Sequence, residues 1–174
     1  WGVLHDGTRP YEGVWEALQQ LKKATDNNAH RQKKHIIALS NSARRRGSTV
    51  QSLQKLFVDM PHPDKFFDNI VTSGEVAFHM LRASSSSSST SSSTVLPLWD
   101  NLEHDNNRKV IVLGSGAQDD ITYVQDCGWH IASLSEDDDA CFVLCRGPYT
   151  IHDGSTVMDL RTDATAYQRA LDRV

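Results

Sequence analysis

Ser40 stands where a short apolar run, His35-Ile36-Ile37-Ala38-Leu39, gives way to polar residues, and Asn41, Ser42 and the run Arg44-Arg45-Arg46 follow it directly. A hydroxyl at the carboxyl end of a buried strand, with Asn41 and the backbone N–H groups behind it, can donate hydrogen bonds to the oxygens of a phosphoryl group. Arg44 and Arg45, just beyond, would suit a second phosphate or carboxylate, because guanidinium forks bind such anions. Each residue also has a plainer reading: a serine there often caps a helix, and an arginine run is usually a solvated face. The turn-rich stretch His5-Asp6-Gly7-Thr8-Arg9-Pro10 offers His5 and Asp6 as proton donors; the alternative is a turn-capping Asp and a surface His.

Other constellations are weaker. Cys127, Cys141 and Cys145 form an odd set without CxxC spacing, which favours a reducing, intracellular setting, cytoplasmic or organellar, over secretion. The histidines are scattered without an HExxH pair, so no zinc site is expected. Gly114-Ser115-Gly116-Ala117-Gln118-Asp119 follows a strand pattern, but its sixth position is Asp where a dinucleotide fingerprint wants Gly or Ala. A tight strand-to-helix turn accounts for those glycines without a ligand. A net charge of −4 gives no footprint for a phosphate backbone, and no apolar run approaches the length of a membrane span, so neither nucleic acid nor membrane is expected as a partner.

The elements that must hold these residues alternate between helical and extended patterns, the signature of an α/β chain with a parallel sheet. Trp1 to Leu4 reads as the end of a strand. Val14, Leu18 and Leu21 predict an amphipathic helix over Glu12 to Ala24, and Ile36 to Leu39 a buried strand. Val50, Leu53, Leu56 and Phe57 mark a second helix, Phe67 to Thr72 a third strand ending in Ser73-Gly74-Glu75, and Val76 to Leu81 a further helix. Residues 83–107, centred on the unbroken Ser/Thr tract Ser84 to Thr94, read as a disordered insertion or a phosphorylatable regulatory tract, because such a composition buries too little apolar surface to offset its ordering entropy. Regular patterns resume with a strand at Lys109 to Gly114, a helix from Asp119 to Cys127 stopped by Gly128, strands at Trp129 to Ala132 and Ala140 to Cys145, and a last helix whose face carries Tyr167, Ala170, Leu171 and Val174.

With these patterns in place, Trp1-Gly2-Val3-Leu4-His5-Asp6-Gly7, continuing through Pro10-Tyr11-Glu12-Gly13-Val14, resembles the first motif of the haloacid dehalogenase superfamily. Ile37-Ala38-Leu39-Ser40-Asn41-Ser42 is similar to its second motif, and Ile70 to Glu75 and Lys109 to Gly114 continue the likeness. The branch resembled is subfamily IIA, the p-nitrophenylphosphatase-like group that includes nucleotide and sugar-phosphate phosphatases. The resemblance implies a partial Rossmann-like core in residues 1–82, a Ser-rich insertion in 83–107 and a partial α/β cap in 108–174. It implies a magnesium-dependent phosphohydrolase working through an aspartyl-phosphate on a small phosphorylated metabolite, with the cap as a surface for homo-oligomers. The alternative is a non-catalytic binding or interaction module.

In the family's pattern the nucleophilic Asp would precede Trp1 by two residues, and the phosphate-neutralising Lys and late acidic pair would follow Val174. The chain as given is therefore expected to be an inactive piece, cut at both ends. Trp1 occupies the position of the second motif Asp. It lacks the carboxyl that serves as acid and base, keeping only the backbone carbonyl as a magnesium ligand.

Overall fold

In a computed structural model of the protein, residues 2–26, 35–85, 108–135 and 139–162 are described, together with Thr165, Gln168 and Asp172. Most of the expected Ser-rich insertion and the apolar face of the last helix lie outside the described residues. The fold is mixed α/β and divides into two units, Trp1–Val76 and Ala77–Val174. The described helices include none long and apolar enough to cross a membrane.

The first unit runs α1 (Val14–Asp26), β1 (Ile37–Ser40), α2 (Arg46–Leu56), α3 (Pro63–Phe66) and β2 (Asn69–Thr72). Helix α1 turns Val14, Trp15 and Leu18 onto the core, whereas Leu21, expected on that face, is half exposed. Val50 and Leu53 of α2 join Phe57, Met60, Phe66, Phe67 and Ile70 in one buried cluster. The short α3 is legible afterwards from Pro63 at its first turn, where the missing N–H removes no helical bond. β1 and β2 pair in parallel, from Ile37↔Asn69 to Ser40↔Thr72, with α2 and α3 forming the crossover. Period-two alternation turns Ala38 and Ile70 toward the core and leaves Leu39 outward, 80% exposed.

The expected strand at Trp1 to Leu4 does not form among the described residues. Gly2 adopts φ 83°, its N–H bonds the His5 carbonyl, and His5 pairs with Pro10 in an isolated antiparallel bridge. The segment closes on itself as turns, and only Leu4 packs against the core.

Helix α4 (Ser73–Ser85) follows β2 without a loop, so Ser73-Gly74-Glu75 is its first turn rather than a polar connection, and it extends into the start of the expected insertion. The second unit contains Ala77 onward: β3 (Lys109–Gly114), α5 (Ala117–Asp126), β4 (His130–Ile131), β5 (Phe142–Cys145), β6 (Thr150–Asp153) and β7 (Thr156–Asp159). β5 lies parallel along one edge of β3; the other edge pairs first with β4 in parallel and then with β6 antiparallel. The hairpin β6–β7 turns through Gly154, at φ 56°, and Ser155. Phe78 and Leu81 pack with Val110, Val112, Tyr123, Val124 and Trp129. The Trp129 indole N–H donates to the Leu81 carbonyl at 3.1 Å, which satisfies the one polar atom of a buried ring.

A buried ionic cluster closes the carboxyl end of β3. The Asp120 carboxylate accepts the N–H groups of Ser115 at 2.9 Å and Gly116 at 3.0 Å, and pairs with the Arg146 guanidinium at 2.6 Å and the His152 ring at 3.4 Å. The glycine-rich turn thus holds the protein's own anion, with Gly114 essential because a Cβ there would lie 2.1 Å from an Asp120 carboxylate oxygen. Burial alone would push the Asp120 pKa up, but His152, the Gly116 N–H and Arg146 together hold it below the ordinary value. A depressed folded pKa gives stability that is present above the unfolded value and lost as pH falls through the folded one. Removing one partner of such a pair strands the other in the interior. Asp120→Ala should therefore cost about 3–5 kcal/mol in chemical denaturation. The wild-type contribution should survive at mildly acidic pH and fade only below the usual aspartate range.

Candidate functional site

The parallel pairing of β1 and β2 brings two hydroxyl residues, Ser40 and Thr72, side by side at the carboxyl ends of adjacent strands, the usual place for ligand chemistry in a parallel sheet. The connection after Ser40 is held from β2 and the start of α4. Thr72, wholly buried, donates its hydroxyl to the Arg44 carbonyl at 2.8 Å and accepts the Glu75 N–H at 3.0 Å. The Ser42 carbonyl accepts the Gly74 N–H at 3.0 Å and the Ser73 hydroxyl at 2.9 Å. Gly74 packs so tightly that a Cβ would lie 2.1 Å from the Ala43 carbonyl oxygen.

Glu75 completes the clamp. It takes a two-pronged bond from the Arg45 guanidinium, at 3.0 and 3.1 Å, and a third from the Arg46 N–H at 2.9 Å. Arg45, expected as a substrate-anion candidate, is thus engaged by a carboxylate thirty residues on and holds the loop instead. Arg46 reaches Asp64 at 2.6 Å. Arg44 keeps an exposed side chain, and its N–H bonds the Ser42 hydroxyl at 3.2 Å. Asn41 is exposed.

The Ser40 hydroxyl oxygen accepts the Ser42 N–H at 3.2 Å, which leaves its own proton to donate. Ser40 lines a small cavity of about 100 Å³ together with Val3, Leu4, His5, Ala38 and Thr49. Of the two residues expected as substitute acids, His5 is therefore the one brought to the Ser40 cavity. Its Nδ1 accepts the Gly7 N–H at 3.0 Å, which places the ring proton on Nε2, and burial lowers its pKa so that the ring is neutral at pH 7. Asp6 is occupied by its turn: one oxygen accepts the Arg9 N–H at 2.9 Å and both the N–H and hydroxyl of Thr8 at 2.8 Å. These bonds hold its carboxyl well below the usual carboxylate range, so at neutral pH it has no proton to give. The geometry assigns Asp6 to turn capping.

Trp1, expected to offer a carbonyl to magnesium, lies outside the described residues. Among the described residues no three His, Cys, Asp or Glu side chains converge as metal ligands. The role of Thr72 and Glu75 was missed from the sequence; the signal was Thr-x-x-Glu across a strand-to-helix junction, the spacing of a helix-capping pair.

The haloacid dehalogenase-like hydrolase family model matches residues 1–130, three quarters of the chain, and the protein belongs to that family. No curated protein and no solved structure matches it.

The clamp gives a direct expectation. Glu75→Gln should cost only about 1 kcal/mol, because the Arg45 head is 39% exposed and water screens the lost charge. The same change should speed hydrogen exchange at the Arg46 and Gly74 amides while leaving those of β3 untouched. Unchanged exchange at both amides would show that the loop is held by other means.

Proposed function

We propose that this chain carries the phosphate-holding part of a phosphohydrolase site for a small organic phosphate. The observation that supports this most is Ser40, at the end of a parallel strand, lining a cavity with its hydroxyl proton still to donate. A phosphoryl group in flight spreads charge over its outer oxygens, and fixed donors aimed at them supply much of the catalysis. Ser40 and the amides after it would meet one oxygen. The neutral His5 ring, with its proton on Nε2, would donate to another oxygen or to the leaving group. Arg44, outermost, would meet a second anionic group of the substrate, and Arg45 would keep the loop in place through Glu75.

On this reading the attacking carboxylate belongs two residues before Trp1 and works through an aspartyl-phosphate. The resemblance alone carries that nucleophile, the magnesium requirement and the cap role of residues 108–174. A non-catalytic binding or interaction module is the second reading, and Asp6 favours it, since this carboxyl, the first after Trp1 in the sequence, is ionised and committed to a turn. The leaving group separates the two. A phosphatase without a carboxyl acid should turn over nitrophenyl phosphate, which departs without much help, far faster than alkyl phosphates, whereas a binding module should turn over neither.

In the protein expressed from its full reading frame, Ser40→Ala should lower kcat/KM for nitrophenyl phosphate by about 10²–10³-fold, the usual loss for one donor to a developing anion, with an unchanged thermal transition. Wild-type turnover in Ser40→Ala would remove Ser40 from the site.

A further inference from the structure

A cleft of about 410 Å³ in the first unit shares no residue with the Ser40 cavity. Helix α1 forms one wall with Trp15, Gln19, Lys22 and Lys23, which fall on one helical face at spacings of four, seven and eight. Helix α3 and the segment before it form the other, with Asp59, Pro61, Lys65 and Phe66. Trp15 and Phe66 stand 5.2 Å apart between ring centres, inclined at 51°, so an aromatic pair links the two walls. Trp15 is only partly buried and lines the cleft, whose lining sets three lysines, Lys22, Lys23 and Lys65, against one carboxylate, Asp59, in a chain whose overall charge is −4.

We infer that this cleft binds a nucleoside diphosphate. The match is one of size and charge. A cleft of this volume falls within the range that holds small organic ligands. A planar base has a face to lay on Trp15, and aromatic contacts of this kind carry much of the affinity of ring-bearing ligands. A diphosphate carries about three negative charges near neutral pH, which Lys22, Lys23 and Lys65 balance as point charges. Asp59 and Gln19 supply an acceptor and a mixed donor and acceptor for ribose hydroxyls or an exocyclic amine. Neither a bare phosphate, which would not use the rings, nor a neutral nucleoside, which would not use the lysines, fits as fully. The site does not depend on the phosphohydrolase reading, because Ser40 takes no part in it.

The test is isothermal titration of the full chain with ADP, in parallel with adenosine and with inorganic phosphate. ADP should bind saturably at submillimolar concentration and more weakly as salt rises, with both half-ligands at least tenfold weaker. Lys22→Gln and Lys65→Gln together should weaken ADP at least tenfold; both residues line the cleft, and an unchanged circular dichroism spectrum and thermal midpoint would show that the fold is kept. Ser40→Ala should bind ADP as tightly as the parent. Absence of saturable ADP binding would overturn the inference. So would affinity that survives the double lysine substitution, equal loss in Ser40→Ala, or capture of an acidic phenylalanine-bearing peptide by a chain that ignores ADP.

Discussion

The Thr72 hydroxyl is the smallest part of the first unit and the one on which its site depends. Placed without solvent contact at the end of β2, it gives its proton to the Arg44 carbonyl and takes one from the Glu75 amide. Two chain segments nearly thirty residues apart are thereby fixed at one point, and the parallel register that sets Thr72 beside Ser40 carries that fixity to the phosphate candidate. Backbone groups left unpaired at a buried strand end would cost more than the bonds gain, so the loop has little freedom to sit elsewhere. Gly74 and Glu75 then act as a wedge and a tie around the same point.

The second unit solves a similar geometric problem differently. There a strand ends in a glycine-bearing turn that leads into a helix, a frame that readily cradles anions. Asp120 fills the frame from within; Arg146, which also stacks 4.1 Å over the Tyr123 ring, answers its charge, and the His152 ring lies 3.4 Å from the same carboxylate. One strand-end turn is satisfied internally by a carboxylate; the other leaves a serine hydroxyl facing a cavity.

Much of this was legible in the sequence where apolar runs and helical spacing were strong. The strands at Ile37, Asn69, Lys109 and Phe142 and the helices through Val50 and Val124 follow from local pattern, and so does Ser40 as a strand-end residue. Local pattern failed where long-range partners decide the outcome. Nothing near Arg45 announces Glu75, and nothing near Asp120 announces Arg146 or His152, because each pair meets only after the sheet has formed. The β6–β7 hairpin was readable in principle, since the two-residue turn signal Gly154-Ser155 sits between Thr150-Ile151-His152-Asp153 and Thr156-Val157-Met158. Trp1 to Leu4 looked extended by composition, but Gly2 permits a left-handed bend that the adjoining turn bonds exploit.

On the proposed function, the junction of β2 and α4 positions the Ser40 loop for phosphate. Gly74→Ala tests it directly, because the added methyl would meet Ala43 backbone that cannot swing aside as a side chain could. Titration with orthovanadate, a phosphate mimic, should show binding to the parent and a loss of at least tenfold in Gly74→Ala, with the amide spectrum of β3 and α5 unchanged. Equal vanadate affinity in the two proteins, with the substituted chain folded, would contradict the claim.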